Sequence, residues 1–240
     1  MKPKTVLVAG CLHIPYMDED YEEWLLQQVR DTQPDVLVLN GDVIDGESLS
    51  RFPKTHRYAA LEEEYEGMEA FLSRLLKVTD PNTECVYLKG NHEHRLRTPS
   101  FSHLSGLLDI EKHVPSLDRF KTKEYINHIS YAYRYGLLTV RHSFETSDVG
   151  IKREVLDCCR PNGLLVTSHT HRGHNPRQLE WLQRPLPFTV VNTGCGLARS
   201  DTAYYSGWNT NGWNRGCAVV GVNDRWFNAE FRKHSDFWGN

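Results

Sequence analysis

The 240-residue chain has no stretch near the ~20 consecutive apolar residues that a helix needs to cross a bilayer. The apolar run after the N-terminal lysines of MKPKTVLVAG is about five residues, too short for the core of a secretory signal. The six cysteines (Cys11, Cys85, Cys158, Cys159, Cys195 and Cys217) form no CxxC pair. Without an export signal they read as reduced thiols, and a cytoplasmic setting is expected. Cys158 and Cys159 are adjacent in a helical pattern, which points to packing. There is no internal repeat, low-complexity tract or Pro/Gly/Ser-rich linker, so a single domain over residues 1–240 is expected. Charge of one sign is also lacking. Lys plus Arg is 28, Asp plus Glu is 31, and the formal net charge is -3. That balance argues against a general nucleic-acid or membrane binder. What remains is an ordinary globular composition, 39% hydrophobic and 25% charged, long enough to bury a substantial core. Its distinctive feature is twelve histidines, a residue type that binds transition metals.

Short β runs alternate with helical segments. Thr5–Ala9, Asp35–Asn40 and Glu84–Leu88 read as buried strands. Asp20–Gln33 reads as a helix with acidic residues in its first turn. A second helix follows Tyr58, with apolar residues at Leu61, Tyr65, Met68, Leu72 and Leu75. Ser130–His142 reads as a hairpin turning near Gly136, and Lys152–Cys158 as a helix. Leu164–Thr167, Gln178–Leu182, Phe188–Asn192, Cys217–Val222 and Trp226–Arg232 read as strands. The strand-helix-strand order of the first half indicates an α/β fold, and the strand-rich second half indicates a mixed or second sheet.

Ligand sites in α/β sheets lie outside the carboxyl ends of the strands. Polar clusters fall there five times. Cys11 and His13 follow the first strand, Asp42 and Asp45 the second, and Asn91, His92 and Glu93 the third. His142 ends the hairpin, and His169 and His171 end the next β run. An i, i+2 histidine pair on extended backbone aims both rings to one side. Taken singly, a histidine after a strand or a Gly-Asp turn is commonplace. The full ordered set is not.

These residues resemble the calcineurin-like metallophosphoesterases, whose pattern runs D-x-H, G-D-x-x-D, G-N-H-[ED], a lone H and G-H-x-H. The likeness spans roughly residues 6 to 196. It implies a β-sandwich of two mixed sheets flanked by helices, and a site for two divalent cations. His13, Asp42 and His171 would bind one cation, with Cys11 in place of the family's first aspartate. Asp42 would bridge to a second, completed by Asn91, His142 and His169. His92 would stand beside the metals as the acid for the leaving group, and Asp45 would orient His92 or a metal-binding histidine. Two positions depart from the pattern. Ser168 replaces a glycine, a small-for-small change. Cys11 replaces a hard oxygen donor with a soft sulfur. Cys11 is therefore open to three readings: a ligand, a protonated thiol that weakens its site, or a buried small residue. Mn²⁺ is the expected metal, with Fe or Zn²⁺ as alternatives at the position holding Cys11.

The resemblance implies hydrolysis of small phosphodiesters, cyclic nucleotides among them, by a hydroxide that two cations activate. A nuclease would need an extended basic surface, which the charge balance disfavours. A phosphoprotein phosphatase is disfavoured because GDVIDG lacks the arginine those members carry after the second aspartate. A non-catalytic protein-binding scaffold is supported by Cys11 alone. A homo-oligomer stays open. Residues Arg51–Arg57, with Arg95, Arg97 and Arg172, read equally as phosphate contacts or solvated loops. The aromatic stretch from Tyr204 to Trp213 reads as a pocket border, an oligomer interface or plain packing.

Overall fold

Strands β1 (Lys4–Ala9), β2 (Val36–Asn40) and β3 (Glu84–Leu88) lie side by side and parallel. They belong to a computed structural model that describes residues 1–50, 58–95, 108–123, 131–181, 183–199 and 210–237. Both faces of these strands are covered, which is why they read as unbroken apolar runs. Val6, Val8, Val36, Val38, Val86 and Leu88 face a second sheet. Leu7, Ala9, Leu37, Leu39, Cys85 and Tyr87 face helices α1 (Glu19–Thr32) and α2 (Leu61–Val78). The Asp18 carboxylate caps α1 by accepting from Tyr21 N, and three acidic residues follow in the first turn. Two single-turn helices, α3 (Asn91–His94) and α4 (Ile110–His113), precede strand β4 (Phe120–Lys123).

The remaining strands are β5 (Tyr133–Tyr135), β6 (Leu138–Val140), β7 (Gly163–Thr167), β8 (His174–Trp181), β9 (Arg184–Asn192), β10 (Asn214–Val222) and β11 (Phe227–Asp236). The first sheet runs β11-β10-β1-β2-β3-β4 and the second β5-β6-β7-β9-β8. Both mix parallel and antiparallel pairs, as expected of the two-sheet mixed sandwich. Helix α5 (Asp148–Cys158) packs Ile151 and Val155 against Leu165, Phe188 and Val190 on the outer face of the second sheet. The layers are thus helices, sheet, sheet, helix. Strands β1, β2 and β3 are mutually parallel in one sheet, and β6, β7 and β9 in the other.

Several elements differ from the sequence reading, among them the starts of β9 and β10 and the end of β11, and three differ for identifiable reasons. Strand β4 was not expected; it is an edge strand whose Lys121 is exposed, so its four residues carry little apolar signal. Strand β8 starts at His174, ahead of the expected Gln178, because an edge strand tolerates Pro176. Helix α5 starts at Asp148 instead of Lys152; Ser147 caps it by accepting from Gly150 N.

Candidate metal centre

The five strand ends converge. His13 Nε2 lies 3.1 Å from His171 Nε2, a spacing suited to two nitrogens sharing one cation at bonds of ~2.0–2.1 Å. Ligand atoms of Cys11, His13 and His171 all lie within 4.8 Å of one another, and so do those of Cys11, Asp42 and His142. His142 Nε2 stands 3.2 Å from Asp42 Oδ2 and 3.0 Å from Asn91 Oδ1. The His142 and His169 rings meet edge to face, 5.3 Å between centroids. His169 N–H donates to Cys11 Sγ at 3.0 Å. The Nδ1 atoms of His169 and His171 are buried without a partner, although buried imidazole nitrogens normally have one. A donor set of one thiol, one carboxylate, one amide and four imidazoles, with two orphaned nitrogens, fits transition-metal cations.

The backbone is bent to make this possible. Among the described residues, eight that are not glycine have positive φ, and five of them are candidate ligands: Cys11 (54°), His13 (53°), Asp42 (51°), His169 (70°) and His171 (60°). Such conformations are costly for non-glycine residues and gather where function demands them. Gly41 and Gly90 let the loops touch. A Cβ on Gly41 would stand 2.5 Å from His142 Nδ1, and one on Gly90 would collide with Asp42 Oδ1.

Each ring is aimed by a partner behind it. His13 Nδ1 donates to Asp45 Oδ1 at 2.9 Å, and His142 Nδ1 donates to the Asn40 carbonyl at 2.8 Å. Both bonds leave Nε2 directed at the centre, the usual arrangement for a metal-binding histidine. His92 Nδ1 bonds the Asp45 carbonyl at 2.5 Å and lies 3.4 Å from Asp45 Oδ1. Its Nε2 is 3.9 Å from Asp42 Oδ2. Asp45 therefore touches both His13 and His92.

Burial sets most of the protonation states. It holds His13 and His171 below the usual imidazole range, and with the charge on His142 it pushes His169 down to about 4. Neutral rings are what metal ligation requires; His142 departs from this, because burial is outweighed by Asp42, which lifts the ring above the usual imidazole range. Burial opposes ionisation of Asp42, yet His142 and His92 hold its carboxyl well below the ordinary value. Burial also disfavours a charged His92, but Asp42 and Asp45 overcome it and lift this ring to about 9, with Arg95 opposing. Burial, with the Asp42 charge, drives the Cys11 thiol well up. In the metal-free chain Cys11 is therefore a protonated thiol.

Several supporting residues had no role in the sequence reading. Glu93 Oε2 accepts from Asp42 N and Gly90 N, at 3.0 and 2.7 Å, while Oε1 accepts from Val43 N at 2.6 Å. It clamps the β2 loop to the β3 loop. Its signal was its place in the GNHE motif. Glu64 does likewise for the backbone of Gly46 and Glu47. Asn40 Nδ2 donates to Ser168 Oγ at 2.8 Å, and Ser168 Oγ meets Thr193 Oγ1 at 2.9 Å. The serine that replaces the glycine thus helps join the two sheets at the centre. Trp213 packs edge-on against His171, 4.3 Å between ring centroids, so the end of the aromatic stretch does reach this site. Arg51–Arg57, Arg97 and Tyr204–Trp208 lie outside the described residues. Arg172 is exposed. Among the described residues no helix is long and apolar enough to cross a membrane.

No curated protein matches the sequence of this chain. Solved structures of similar fold include a dimetal phosphatase from Danio rerio, at 10% identity and a TM-score of 0.48, covering 95% of this chain and 96% of that one. Vacuolar protein sorting 29 from Cryptosporidium parvum aligns at 14% identity and a TM-score of 0.45, covering 98% of this chain and 100% of that one. Vps29 from Entamoeba histolytica, in complex with Zn²⁺, aligns at 13% identity and a TM-score of 0.45, covering 96% of this chain and 98% of that one. The family model for calcineurin-like phosphoesterases matches residues 4–211. With that match spanning most of its length, this chain belongs to the calcineurin-like phosphoesterase family.

Proposed function

We propose that this chain is a metal-dependent phosphodiesterase acting on small phosphodiesters, cyclic nucleotides among them, as a single domain in the cytoplasm. The observation that carries the reading is the convergence of Cys11, His13, Asp42, Asn91, His142, His169 and His171 on one buried centre. Cys11, His13, Asp42 and His171 would hold one cation, and Asp42, Asn91, His142 and His169 a second, with Mn²⁺ foremost and Zn²⁺ or Fe as alternatives beside Cys11. Two such cations would neutralise charge on the phosphate and make a water acidic enough to ionise near neutral pH.

The protein's own residues do the rest. His92 is anchored through Nδ1 on the Asp45 carbonyl, which leaves Nε2 to carry a proton to the departing oxygen. Asp45 holds His92 and His13 in one fixed relation. His142 is kept from rotating by its bond to Asn40. A diester is preferred over a phosphoprotein because Gly46 stands where phosphoprotein phosphatases carry arginine. The near-balanced charge favours a small substrate over long nucleic acid.

One observation favours a second reading. Cys11 stands where the family pattern has an aspartate, and a sulfur there would weaken that position for hard cations, as a non-catalytic scaffold allows. Metal analysis followed by hydrolysis of bis-p-nitrophenyl phosphate and of p-nitrophenyl phosphate, with Mn²⁺, Zn²⁺ or Mg²⁺ added, separates the two. Diester cleavage faster than monoester cleavage supports the phosphodiesterase. No cleavage with any metal supports the scaffold.

A further inference from the structure

The Arg95 guanidinium reaches the candidate site although no ligand motif claims it. Arg95 closes the turn of α3, three residues after His92, so both side chains leave the same face. Its Nη1 donates to the carbonyls of Asp45 (2.9 Å) and Gly46 (3.1 Å). Its Nη2 stands 3.2 Å from His92 Nε2. Gly46 lies beside this path; a Cβ there would make ordinary contact with Arg95 Cδ at 3.8 Å. The β2 loop thus fixes one edge of the guanidinium, and the other edge is set against the ring nitrogen that would face the leaving group.

We propose that Arg95 is a substrate contact of this site, binding a non-bridging oxygen of the scissile phosphodiester on the side where His92 meets the leaving oxygen. This rests on the phosphoesterase reading and deepens it. A guanidinium stays charged at all working pH values and matches phosphate oxygens geometrically. Half-fixed by two carbonyls, it loses little side-chain freedom when an anion arrives. Nη2, 3.2 Å from His92 Nε2, would then donate to a phosphate oxygen, while Nε2–H of His92 faces the leaving oxygen. No covalent step is involved. The site would favour substrates whose scissile phosphate keeps a negatively charged oxygen, and would discriminate against neutral phosphotriesters.

The test compares the full chain with Arg95→Ala and Arg95→Lys. Binding of inorganic phosphate is measured by calorimetry with and without Mn²⁺, alongside KM and kcat for bis-p-nitrophenyl phosphate, metal content and melting temperature. Arg95→Ala is expected to weaken phosphate binding and raise KM by roughly 10- to 100-fold, as for a lost charge-assisted hydrogen bond. Metal content should hold, and Arg95→Lys should recover part of the loss. Unchanged phosphate affinity and KM in Arg95→Ala would overturn the proposal, as would a fall in melting temperature or metal content that accounted for the whole effect. An inactive wild type would sink the phosphodiesterase reading instead. In that case a loss of phosphate binding in Arg95→Ala still supports the contact, and no loss still overturns it.

Discussion

The two halves proposed for the candidate centre, which would share Asp42, are built differently. The half with Asn91, His142 and His169 offers nitrogen and oxygen donors only. Its key ring, His142, is locked to the Asn40 carbonyl, and Asn40 is itself bonded to Ser168 across the sheet seam. The half with His13 and His171 has a sulfur, Cys11, where the family pattern has a carboxylate. His13 is locked to Asp45, whereas His171 has an orphaned Nδ1 and is held by the edge of Trp213. A hard and a soft position side by side should select different metals. On the proposed reading, one substitution at a strand end would change the metal preference of one half and leave the other constant.

The strongest way to break this comparison is at the shared residue. Asp42→Asn keeps a side-chain oxygen to accept from His92 N, a bond of 2.9 Å. It is expected to cost both cations and to lower turnover by more than about 10³-fold. Retention of two cations by elemental analysis would remove Asp42 from its bridging role. Next come His13→Ala and His142→Ala. Each should lose one cation and leave the other bound, so that the two halves empty independently. Loss of both cations from either variant would mean that the halves are one cooperative site.

His92→Ala sharpens the comparison by touching neither half. Turnover should fall ~10²-fold or more, as for a missing general acid, with metal content unchanged. Loss of metal there would make His92 a ligand. The smallest effect is expected for Cys11→Asp. It should keep two cations, hold diester turnover within about tenfold, and move metal preference from Zn²⁺ toward Mn²⁺ or Mg²⁺. An identical preference before and after would show that Cys11 does not bind metal.

Much of this was legible in the chain because chemistry and topology coincide. The strands β1, β2 and β3 are buried on both faces, so their apolar runs are plain, and a polar cluster directly after each is conspicuous. The histidines after β6 and β7 could be read for the same reason. What stayed hidden has no one-dimensional signature. Asn40, Glu64 and Ser168 act through contacts with residues far along the chain. The positive φ of Cys11, His13, Asp42, His169 and His171 contradicts their ordinary preferences, and the folded scaffold imposes it. The edge strand β4 escaped because its charged residues mask a short pairing segment. Trp213 was visible as an aromatic, but its place against His171 follows from the bond of Asn214 N to the His171 carbonyl, not from local sequence.

If two metal ions turn this centre into a phosphodiesterase, stripping the protein with a chelator and titrating Mn²⁺ back should restore bis-p-nitrophenyl phosphate hydrolysis. The account predicts no cleavage in the stripped protein and activity that saturates as two equivalents bind, with the monoester cleaved more slowly. Two bound cations without diester cleavage, or cleavage that persists in the stripped protein, would contradict it.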